Sequence, residues 1–255
     1  MDKSAKKVLK KTIYVSLGIL ILLVIWEISS LILNNYNVYP DIIRTFTKLF
    51  YILSLKETYS AIFTSLGVCL LCLLVSTICG IIFGVIAGLF EPFKDIFSPF
   101  IAIMKVIPTA VIVILLLVFV KSFYSTIIVV FIVVFPIIYE SVINGIQNID
   151  VAIKDELSLD GTRNSESIFK IIIPEMAPYL YVGLVSSFGF AIKVEIMSEI
   201  LIGSNSIHGL GRLIFVSYAV NFDYVELFSL SFLTLICFAV VDTILYFIKN
   251  KIKKL

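Results

Sequence analysis

Three ionisable side chains interrupt one long apolar run of this chain: Lys193, Glu195 and Glu199. The two glutamates are four residues apart, so a helix sets both carboxylates on one face and turns Lys193 largely the other way. A charge at the centre of a membrane costs roughly 2.5–3.5 kcal/mol on insertion scales, so each such residue is a functional candidate. A carboxylate pair on a wet face, against a water-filled cavity or another subunit, attracts cations or contacts a solute. Equally, Lys193 and Glu195 satisfy neighbouring helices and touch no solute. Glu27, Lys105, Glu140 and Asp242 lie nearer the ends of apolar runs, where interfacial water solvates them. The spacing Cys69-x-x-Cys72 suggests metal or thiol chemistry. No second pair and no histidine accompanies it, so both cysteines read as small helix residues. Gly209-x-Gly211 follows a helical pattern and lacks the third glycine of a dinucleotide site, so it reads as a tight turn. His208 reads as an exposed loop residue. The sequence contains no catalytic constellation, no metal-ligand spacing and no glycine-rich loop ending in Lys-Ser/Thr. Nothing in it cradles ATP.

These residues sit in a membrane-like chain. Of its 255 residues 60% are apolar and 15% charged, and the mean hydropathy is +1.09. A bilayer core of roughly 30 Å needs about 20 apolar residues per helix. Six runs qualify, near 13–33, 61–90, 97–120, 125–146, 179–202 and 227–248. The expectation is an all-α polytopic membrane protein, one domain over 1–255. The first run is too long for a signal-peptide core and ends without a small-residue cleavage site, so it is a retained anchor. Lysines crowd both ends of the chain, which places both termini in the cytoplasm and requires an even number of spans. That distribution also argues against nucleic acid as a partner. Pro99 and Pro108 fall in the third run and predict a bent helix, one that either lines a cavity or packs better for the kink. Between the first two spans, Ile42, Ile43, Phe46, Leu49, Phe50 and Leu53 recur at helical spacing and predict a short helix on the outer surface.

Between the fourth and fifth spans lies a polar segment, about 148–176, which the span count places in the cytoplasm. Asp150 is a good N-cap, Ile153 and Leu157 share a face, and Gly161 supplies a helix-ending position. A second short helix follows with Ile168, Phe169, Ile172 and Ile173 apolar, until Pro174 stops it. The expectation is a knob of two helices with an elbow at Gly161.

Asp155, Gly161, Ile171 and Pro174 stand in the register of the cytoplasmic signature loop of ATP-binding-cassette importer permeases, and this segment closely resembles it. Glu156 and Leu157 occupy positions where that family has small residues, and Ile173 replaces a leucine. Glu156 thereby takes part of the charged role. The resemblance covers most of 39–245. The segments 104–110, with Pro108, and 198–214, with Glu199 and the Gly-Leu-Gly turn, resemble the nitrate, sulfonate and taurine permease subfamily, whose members usually carry uncharged residues near 193 and 195. The resemblance implies a transmembrane importer subunit of the cytoplasmic (inner) membrane. It implies coupling through Asp155, Glu156, Gly161, Ile171 and Pro174 to a cytoplasmic ATP-binding subunit dimer, which uses the ATP while this chain binds no cofactor. A second permease copy and an extracytoplasmic solute-binding protein complete the assembly, with membrane lipid around it. Lys193, Glu195, Glu199 and Pro108 are then the pathway candidates. A sulfonate, taurine or nitrate fits the subfamily, and a thiamine precursor fits the two glutamates. The rival reading is a proton-coupled secondary carrier or membrane-embedded enzyme using Glu195 and Glu199.

Overall fold

The computed structural model describes residues 3–150, 153, 168–203 and 207–252. All regular elements among them are helical. In chain order they are α1 (Lys3–Leu33), α2 (Ile42–Leu53), α3 (Lys56–Leu89), α4 (Glu91–Val106), α5 (Thr109–Phe119), α6 (Ser122–Gln147), α7 (Ile173–Ile202), α8 (Leu210–Phe215) and α9 (Tyr224–Ile252). Among the described residues five helices are long and apolar enough to cross a membrane, six if the bent pair α4 and α5 counts as one broken span.

The core is built on α6. Gly80, Gly84 and Gly88 form a stripe on α3 at four-residue spacing, and Ile138, Val142 and Ile146 of α6 lie in it. The two helices therefore run parallel. A Cβ at Gly84 would lie 2.8 Å from Val142 Cβ and 3.1 Å from the Tyr139 carbonyl, so only glycine allows this approach. Lipid tails are as apolar as leucine, so such small-residue seams, not hydrophobic transfer, bring membrane helices together. On the other side of α6, Gly145 meets Met176 and Gly183 meets Ser141, which sets α7 antiparallel to α6. Around this centre the outward faces stay apolar and exposed, as lipid-facing surfaces require.

The third span departs from expectation. The chain stays helical through Pro99, starts at Glu91 with Pro92 in its first turn, and breaks at Ile107–Pro108. The helices on either side meet at 98°. Proline removes an N–H and drives its predecessor out of the helical region. Ile107 accordingly takes φ −66°, ψ 127°. A second departure concerns Pro174, which does not stop a helix. The turn Ile168–Ile172 runs on into α7, and Pro174 occupies its first turn, where a missing N–H costs little.

Helix α2 forms where its apolar spacing predicted. Asp41 caps it by accepting from the Arg44 N–H, and Glu27 accepts from the Ile42 N–H. It packs on α9 through Thr45, whose carbonyl accepts from Ser229 Oγ. Trp26 of α1 stacks on Phe232 at 5.2 Å and donates to the Pro40 carbonyl, which ties α1 to the same end of the bundle. Lys48 bridges Asp223 and Glu226 at 3.1 and 3.0 Å. Burial opposes the Lys48 charge, but hydrogen bonds and attraction from Glu226 and Asp223 outweigh it and hold the ammonium above its ordinary value. Burial likewise opposes the Asp223 charge. The Glu226 N–H and Lys48 outweigh it and hold this carboxyl below its ordinary value.

Two outcomes are expected. Gly84→Leu should lose about 1–3 kcal/mol by overpacking, whereas Gly67→Leu, which points into open space, should unfold in SDS like the wild type. Equal stability of the two variants would contradict the seam. The raised Lys48 contributes stability below 10.5, and the lowered Asp223 contributes it above 3.8. The melting-temperature gap between wild type and Lys48→Met should therefore be flat through neutral pH. It should close as pH falls through the depressed carboxyl value or rises through the elevated ammonium value. A gap that closes near neutrality would contradict the assignment.

Candidate functional site

The two glutamates of α7 lie together, but the face they share is closed. Glu195 is 1% exposed and Glu199 fully buried. In the isolated chain this corrects the expectation of a wet face. Four-residue spacing aligned the carboxylates, and the turn after α7 folds back over them.

Glu199 is held by donors from two other elements. The Gly211 N–H donates to Glu199 Oε2 at 2.7 Å. Ser65 Oγ of α3 lies 3.2 Å from the same oxygen and accepts from the Leu210 N–H at 2.9 Å. A carboxylate, a hydroxyl and two backbone amides thus clasp the first turn of α8 between α3 and α7. The glycines make this possible. A Cβ at Gly209 would collide with Glu199 Oε1, and one at Gly211 would lie 2.6 Å from the Ile196 carbonyl. The reading of Gly209-x-Gly211 as a tight turn holds. What sequence reasoning missed is that the turn closes on Glu199, and that Ser65, buried in α3, joins it.

Glu195 is the unanswered member. It lies near Glu199 and Ser65, yet neither carboxylate oxygen has a well-formed hydrogen bond among the described residues. It borders a space of about 10 Å³ with Ser65, Leu210 and Cys237, about the size of one water molecule. Cys69 and Cys72 are buried in α3. Above the pair, Thr126 of α6 and Ser198 share a hydrogen bond of 3.0 Å.

The other candidates disperse. Lys193 is exposed and shares an open pocket of about 310 Å³ with Asp242, Phe188 and Phe238. Pro108 is exposed at the break between α4 and α5, and Thr109 beside it touches Met197 Sδ at 3.9 Å. Lys105 and Glu140, expected singly at span ends, pair at 2.8 Å. They border a cavity of about 560 Å³ between α4 and α6, with Lys94, Tyr139 and Asn144. His208 is exposed, as expected. Of the coupling candidates, Ile171 is half-buried and Pro174 exposed at the start of α7, while Asp155, Glu156 and Gly161 lie outside the described residues.

A model of the family described as binding-protein-dependent transport system inner membrane component matches residues 80–254. Among solved structures, the chain resembles an amino acid ABC transporter crystallised with histidines. The TM-score is 0.63 at 16% identity, over 78% of this chain and 93% of that one. It also resembles the MetNI methionine ABC transporter in inward-facing conformations, with a TM-score of 0.62 at 14% identity over 77% and 94%. At these identities the likeness is one of fold. No curated protein matches the chain.

Gly211→Ala should unseat the clasp and leave buried polar groups unpaired, at a cost of about 1–3 kcal/mol. Hydrogen exchange at Leu210 and Gly211 should then accelerate together, whereas Ser65→Ala should release the Leu210 amide more than that of Gly211. Slow exchange at both amides in both variants would show that the clasp does not hold the turn.

Proposed function

The chain belongs to the family of binding-protein-dependent transport system inner membrane components, and from that premise we propose that it is the transmembrane subunit of an ATP-binding-cassette importer. It is a multi-pass membrane component of a transporter and not an enzyme. The observation that carries the reading is the family match across 80–254, which takes in the polar segment between α6 and α7 as well as the bundle on either side. The two solved structures of similar fold are of ABC transporters, one for amino acids and one for methionine.

In this reading 148–176 is the element that meets a cytoplasmic ATPase. Asp155 and Glu156 make the polar contact, Gly161 forms the elbow, and Ile171 and Pro174 join the segment to α7. Both termini share the cytoplasmic side with it, and α2 lies outside. ATP is bound and hydrolysed on the ATPase subunits. One chain supplies half of the pathway, so a second copy completes it, as symmetric assembly favours. An external binding protein delivers the solute, a small molecule of the sulfonate, taurine, nitrate or thiamine-precursor type. Pro108 and Lys193 border the route, and Glu195 and Glu199 lie behind the turn that closes over them. Glu199 acts by fixing the turn at its outer end, and the pair stays out of water until that turn moves.

Segment 148–176 joins α6 to α7, so a push there acts on the two helices whose far ends carry Thr126, Ser198 and Glu199. Gly161→Val should break the elbow while leaving the spans inserted. The variant should reach the membrane at wild-type levels, lose co-purification of the ATPase and lose transport. A well-expressed Gly161→Val protein that still transports would remove the coupling role.

A further inference from the structure

At the α2 end of the bundle most opposite charges answer each other. Lys48 pairs with Asp223 and Glu226, and Arg44 with Asp41. A pocket of about 330 Å³ between the start of α3 and α8 breaks that pattern. Glu57 and Ser60 line it from α3, and His208, Gly209 and Arg212 line it from the turn and α8. Glu57 is exposed and Arg212 half-buried. Here none of Glu57, His208 and Arg212 forms an ion pair with a described residue, although the acid and the guanidinium border one space.

We infer that this pocket binds a small zwitterion, with its carboxylate or sulfonate on Arg212 and its ammonium on Glu57. The planar guanidinium matches a carboxylate or sulfonate with two parallel hydrogen bonds. His208 adds a ring nitrogen and Ser60 a hydroxyl at the rim. Glu57 accepts from an ammonium and repels a second anion. An anion alone leaves Glu57 to water and a cation alone leaves Arg212 to water, so a ligand carrying both charges uses both groups that line the pocket. Its volume lies at the small end of the roughly 300–1,000 Å³ range of small-molecule sites, which favours a solute over a docked protein surface. The backbone of both walls is held in place. Glu57 stands in the first turn of α3, and Arg212 follows directly on Gly211, whose amide Glu199 holds. The inference rests on the importer reading, which puts this end of the bundle outside, where the solute arrives. It narrows the solute to a zwitterion.

The test uses the full chain in lipid nanodiscs, with its ATPase subunits, titrated by calorimetry. Taurine and leucine carry both charges; isethionate keeps the sulfonate and replaces the ammonium with a hydroxyl; ethylamine is a cation alone. Either zwitterion should bind saturably and at least tenfold tighter than isethionate or ethylamine. Arg212→Gln should abolish that binding. Glu57→Gln, on the exposed start of α3, should bring taurine and isethionate to within about threefold of each other. The exchanged pair Glu57→Arg with Arg212→Glu should restore preference for the zwitterion. Absence of saturable zwitterion binding, equal binding of taurine and isethionate to the wild type, or full binding by Glu57→Gln would overturn the site. So would a pocket that becomes occupied only when the external binding protein is added. Retention of the ATPase on the same preparations is scored separately. Retention without zwitterion binding sinks this site and leaves the importer reading standing, whereas loss of the ATPase from the wild type sinks that reading.

Discussion

A carboxyl group placed among apolar helices is costly unless the chain supplies it with donors, and at Glu199 this molecule supplies them. Its answer comes from the Gly211 amide and the Ser65 hydroxyl, which in turn accepts from the Leu210 amide. Three elements are thereby fixed at one point: α3, α7 and the first turn of α8. Gly209 and Gly211 are required there because a side chain at either would occupy the space of the carboxylate or the α7 backbone. A low dielectric strengthens such a bond and raises the cost of losing it.

The clasp works because the helices beneath it are set by shape. The glycine stripe of α3 and the glycines facing α7 let α6 sit between two neighbours at backbone-to-backbone range. Helix α1 lies outside that centre. It is tied to the bundle by Trp26, Glu27 and Ser30 near α2, and most of its length stays exposed. The molecule therefore has a stiff middle, α3–α6–α7, and a loosely attached edge. The segment that the importer reading assigns to the ATPase is spliced between two of the three stiff helices. The clasp closes the far end of one of them. Motion at one end has a direct mechanical route to the other.

Much of this was legible in the residues alone. Helical spacing of Ile42, Phe46, Leu49 and Leu53 foretold α2, and the apolar runs foretold the spans. Charge and turn chemistry single out 148–176, most of which lies outside the described residues. The limits were physical. Four-residue spacing puts Glu195 and Glu199 on one face but does not say what covers it, because Ser65 lies 134 residues away and the turn at Gly211 has to fold back. Two prolines in one span foretold a bend without saying which would break the helix. Pro99 stayed helical and Pro108 did not. Lys105 and Glu140 read as single solvated charges because a pair separated by 35 residues leaves no local signal. The stripe Gly80-x-x-x-Gly84-x-x-x-Gly88 is the exception. It was readable as a packing seam, and an unbroken apolar run concealed it.

The central claim is that this chain carries a solute across the membrane on energy supplied by ATP hydrolysed elsewhere. Proteoliposomes containing the chain with its ATPase subunits and binding protein test it directly, with internal ATP and an imposed proton gradient varied independently. The account predicts solute uptake that requires ATP and the binding protein and persists when the proton gradient is collapsed. Uptake driven by the gradient in the absence of ATP would contradict it.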